Sequence, residues 1–115
     1  MENAPPLLIV TREPLFARTL EAHLPLPCHR AEPGTPVEDA VAALLLIPEN
    51  TREISMMNEL HESTGLPALM LLPEGEHRAG PVCASLQRPV NLQTLCEAAA
   101  HLPRQPRRLN WPDLG

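Results

Sequence analysis

Lysine and tyrosine are absent from this chain of 115 residues, and aspartate occurs only at Asp39 and Asp113. Chemistry that requires a lysine ammonium or a pair of neighbouring aspartates is thereby excluded. Aromatic residues are reduced to Phe16 and Trp111, too few to stack nucleotide bases. The nine basic side chains are all arginine and are outnumbered by fourteen acids, a net charge of −5. No general basic field draws the chain to nucleic acid or to an anionic membrane. The longest apolar runs, Val41 to Ile47 and Leu66 to Leu72, fall well short of the roughly 20 residues that a membrane span needs. Met1-Glu2-Asn3 lacks the basic start of a secretory signal, so a cytoplasmic location is expected.

The three cysteines, Cys28, Cys83 and Cys96, are odd in number and show no C-x-x-C spacing. Reduced, small core residues are the expected state. Cys28-His29 with Cys96 and His101 could be assembled on paper into a zinc set, but adjacent ligands followed by an i, i+5 pair do not have the spacing of structural zinc sites. The five histidines are spread over different elements and none pairs with a serine or cysteine in a recognisable nucleophile arrangement, so hydrolase chemistry has no support. No cofactor and no metal is expected.

What the chain does contain is apolar runs alternating with amphipathic segments, and fifteen prolines placed mostly where elements should end. Strands are expected at about Pro6–Val10, Cys28–Glu32, Ala43–Ile47, Leu66–Leu72 and Ala84–Gln87. Helices are expected from Pro14 to His23, with Pro14 in its first turn, from about Asn50 to Ser63 behind an Asn50-x-x-Glu53 capping box, and from Leu92 to Leu102 behind Asn91. Pro36 to Ala42 offers two turns of helix. Pro73 to Pro81, with two glycines and two prolines, is poor helix material. Alternating strands and helices of this kind imply right-handed crossovers and a flavodoxin-like α/β fold, a five-stranded parallel sheet in the order 2-1-3-4-5 with shortened second and fourth helices. Residues 1–102 form the domain, and residues 103–115, with Arg107-Arg108 and Trp111, read as a linker or tail.

The stretch Leu7-Leu8-Ile9-Val10-Thr11-Arg12-Glu13-Pro14 resembles the opening of bacterial response-regulator receiver domains, where a hydrophobic strand precedes two acidic residues and then often Glu-Pro. Ala43-Leu44-Leu45-Leu46-Ile47-Pro48 is similar to the strand that ends in the phosphorylated aspartate, and Leu66 to Leu72 to the strand that ends in a Thr or Ser. Arg88-Pro89-Val90-Asn91-Leu92-Gln93-Thr94-Leu95 resembles the Lys-Pro run that opens the last helix. The resemblance implies a phosphoryl site at Thr11, Arg12, Pro48, Leu72 and Arg88, and each of these residues departs from the pattern. Thr11 and Arg12 cannot hold the magnesium ion, Pro48 offers no acceptor carboxylate, Leu72 has no hydroxyl, and Arg88 replaces the lysine.

A pseudo-receiver is therefore expected, not an enzyme: a phosphorylation-independent protein-interaction module in bacterial signalling or transcriptional control. Two alternatives share the frame, the amino-terminal regulatory domain of a DNA-binding response regulator and a small anion- or nucleotide-binding α/β domain using the Arg12/Arg88 crevice. Arg12 and Arg88 are expected to face Glu13 and Glu49 as built-in ion pairs. Arg88–Pro89 is expected to be cis, as the resemblance implies. The partner is expected to be a protein or a second copy, bound through Val82, Leu86 and Leu95, with no membrane, no direct nucleic acid and no magnesium-dependent phosphorylation.

Overall fold

The computed structural model describes residues 6–34, 40–74, 84–102 and 107–108. Its centre is β1 (Leu7–Val10), four apolar residues buried on both faces. Alternation along the strand sends Leu8 and Val10 into one core layer, and Leu7 and Ile9 into the other. β4 (Ala43–Leu46) and β5 (Ala68–Leu72) are equally buried, and continuous apolar runs of this kind mark parallel strands covered by helices on both sides. β2 (Cys28–Ala31) and β6 (Ala84–Gln87) are the edges. All four pairings are parallel and the order is β2-β1-β4-β5-β6, or 2-1-3-4-5 when only the strands of this sheet are counted. This is the flavodoxin-like arrangement.

α1 (Pro14–His23) begins with Pro14 and buries Ala17 and Leu20 against the sheet, while Pro25 follows at once and stops it. α2 (Thr51–Thr64) covers the opposite face with Ile54, Met57 and Leu60. Asn50 caps it by accepting from the Glu53 N–H at 2.9 Å. Gly65 ends it at φ 68°, a left-handed conformation that glycine adopts without penalty. α3 (Leu92–Ala100), capped by Asn91 at 2.7 Å from the Thr94 N–H, returns to the α1 side and buries Leu95, Cys96 and Ala99.

One element differs from the expectation. The helix read over Pro36 to Ala42 is not present at its end, because Ala40–Val41 is a short strand, β3. Val41 is fully buried and the next residue, Ala42, already donates its N–H to Pro6 O at 2.8 Å, so the chain must be extended to enter β4. β3 pairs antiparallel with β7 (Arg107–Arg108), which brings part of the segment read as a tail back onto the domain. Residues 35–39 and the doubtful helix after Pro73, from residue 75 on, lie outside the described residues.

Candidate functional site

The residues that follow β1, β4, β5 and β6 lie at the carboxyl ends of the strands, where open α/β sheets bind ligands. Thr11 is fully buried there. Its hydroxyl accepts the Glu13 N–H at 3.0 Å and its own N–H donates to Ala31 O, so Thr11 shapes the turn into α1 and presents nothing to the crevice. Arg12 leaves the turn half-exposed and donates through Nε to Glu53 Oε2. Glu53 is 3% exposed, and its other carboxylate oxygen accepts the Glu49 N–H at 3.0 Å. The hydrogen bond and charge of Glu53 push the Arg12 pKa further up, so Arg12 is a fixed cation.

Glu53 is the residue that sequence reasoning placed too narrowly. In a capping box its side chain returns to the N–H of the capping residue, here Asn50. Instead it reaches one residue further, to Glu49, and turns its second oxygen to Arg12. Glu49, expected to face an arginine directly, supplies a main-chain donor to the network and a weaker field at Arg12.

On the other side, Arg88 Nη2 donates to Glu13 Oε2 at 2.9 Å and the guanidinium lies 5.4 Å from the Phe16 ring centroid. Its Nε is buried with no hydrogen-bond partner among the described residues. The Arg88–Pro89 peptide is cis. Pro48 lines the crevice and is buried, and Leu72, 4% exposed, belongs to the core. The crevice holds about 310 Å³ and is lined by Glu13, Pro48, Glu49, Pro73, Glu74 and Arg88. Three carboxylates against one guanidinium leave it with an excess of negative charge. Among the described residues no group of three His, Cys, Asp or Glu side chains is placed to hold a metal ion.

The expected interface is partly overturned. Leu95 is 1% exposed and belongs to the core under α3, since its position on the helix points at the sheet, and it cannot meet a partner. Leu86 is half-buried against the same core, and Val82 lies outside the described residues. Cys28 donates its thiol to Leu26 O at 3.4 Å, and burial pushes the Cys96 thiol pKa up. No described helix is long and apolar enough to cross a membrane. The chain matches no family model, no curated protein and no solved structure.

Proposed function

We propose that this chain is a receiver-like interaction module that acts by protein contact, without phosphorylation and without turnover. The observation that carries this reading is the double internal neutralisation of the strand-end crevice. Arg12 is held by Glu53 and Arg88 by Glu13, so both cations that could have met a phosphoryl group are already engaged. Pro48 is buried at the end of β4, where the acceptor of a receiver would stand. Thr11 has its hydroxyl turned to the backbone. The anion or nucleotide alternative loses support from the same geometry, because the described lining is net acidic.

Affinity capture on the full chain from a lysate of its native cell, run with and without acetyl phosphate and magnesium, tests the proposal. The same protein is expected in both eluates. A partner retained only after phosphoryl donor is added would overturn it.

A further inference from the structure

A second concavity lies away from the strand ends, between α1 and α3. Its volume is about 530 Å³, within the range of binding pockets. Its apolar lining is Pro25, Leu92, Cys96 and Ala100, and its polar lining is His23, Gln93, Glu97 and His101. His23 Nδ1 lies 2.9 Å from Thr19 O and His101 Nδ1 lies 2.6 Å from Glu97 O. A carbonyl oxygen can only accept, so each Nδ1 carries its hydrogen and is tied to the last turn of its own helix. Gln93 donates one amide N–H to Glu97 Oε1 at 3.0 Å, which leaves the second Glu97 oxygen as an acceptor. Among the described residues no arginine lines the groove. Both helices also end there, and each C-terminus carries a partial negative charge.

An apolar lining beside the Glu97 carboxylate and two helix C-termini fits an occupant that is apolar on one side and basic at its flanks. The lining runs along α3 from Leu92 to His101, about 13 Å at 1.5 Å per residue, the length of two to three turns of a docked helix. We propose that this groove receives a basic amphipathic helix of a partner protein. The inference rests on the interaction-module reading and names the surface and the partner chemistry.

The test uses the full chain, isotopically labelled, titrated with a synthetic leucine–lysine amphipathic helix and with its leucine–glutamate counterpart, and followed by amide chemical shifts. Shifts at His23, Leu92, Glu97 and Ala100 are expected with the lysine peptide alone. Ala100→Arg should weaken its binding by about tenfold or more. Because Ala100 is half-buried, Glu97→Arg serves as a second variant at an exposed position, and it should weaken the lysine peptide and admit the glutamate one. Equal binding of both peptides, shifts centred on Glu13, Glu49 and Glu74, or no shift at millimolar peptide would overturn the proposal. So would self-association that occupies the groove, which would assign it to a second copy. A partner captured from lysate and unaffected by Ala100→Arg would overturn the groove and leave the module reading standing. A partner that depends on phosphoryl donor would overturn the module reading while leaving the peptide result in place.

Discussion

Arg12 and Glu53, separated by 41 residues in the chain, are joined by a hydrogen-bonded ion pair that ties the end of β1 to the first turn of α2. Glu53 is the buried member and Arg12 the solvated one, so the pair's cost and benefit are unequal. Removing the carboxylate strands the Glu49 N–H as well as the guanidinium. Glu53→Ala is expected to destabilise the fold by about 1–3 kcal/mol in urea unfolding. Glu53→Gln should recover part of that, since an amide oxygen can still accept from Glu49, and Arg12→Ala should cost less than Glu53→Ala if the main-chain bond matters most. Equal losses for all three variants would contradict this assignment.

The second pair, Arg88 to Glu13, is about one third exposed on each side and should be correspondingly weaker. Arg88→Ala is expected to cost about 0.2–1 kcal/mol from the ion pair, with about 0.5–1 kcal/mol more from the contact with Phe16. The ion-pair part should shrink in high salt and the rest should not.

Incubation with acetyl phosphate and magnesium is expected to leave no hydroxylamine-labile acyl phosphate on the protein, read by mass spectrometry before and after hydroxylamine. Magnesium alone should leave the melting temperature unchanged, because an ion that does not bind the folded state cannot stabilise it.

Leu86 and Leu95 should now part company. Leu95→Ala opens a cavity beneath α3 and is expected to cost about 2–5 kcal/mol. Leu86→Glu, at a half-buried edge position, should leave the chain folded, and sedimentation of this variant beside the wild type asks whether β6 takes part in self-association. A wild type already monomeric at high micromolar concentration removes β6 as a dimer surface.

Burial disfavours the Cys96 thiolate, so iodoacetamide should modify Cys96 more slowly than Cys28 at mildly alkaline pH, with site-resolved mass spectrometry as the readout. The linkage has a definite sign. A thiol whose pKa is raised on folding stabilises the native state fully below its unfolded pKa of about 8.5, and that contribution is lost as pH climbs through the folded value. Stability should therefore fall on the alkaline side, and Cys96→Ala should flatten that fall.

Much of the fold was legible in local pattern. The runs Leu7–Val10 and Ala68–Leu72 are apolar throughout because both faces of a central parallel strand are covered, and Asn50, Gly65 and Asn91 act through bonds to residues a few positions away. The ion pair of Arg88 with Glu13 was foreseeable too, because in an all-parallel sheet the residues that follow β1 and β6 emerge at the same end of the strands. Tertiary structure alone decided the rest. Glu53 satisfied a local capping pattern, and nothing in its spacing showed that it would bury a carboxylate and reach Arg12. Leu95 sat on an amphipathic stripe whose sequence could not say which residues faced the sheet and which a partner. Ala40–Val41 pairs with Arg107–Arg108 across most of the chain, and two residues carry too little periodicity to announce a strand until the chain has folded back to supply the other edge.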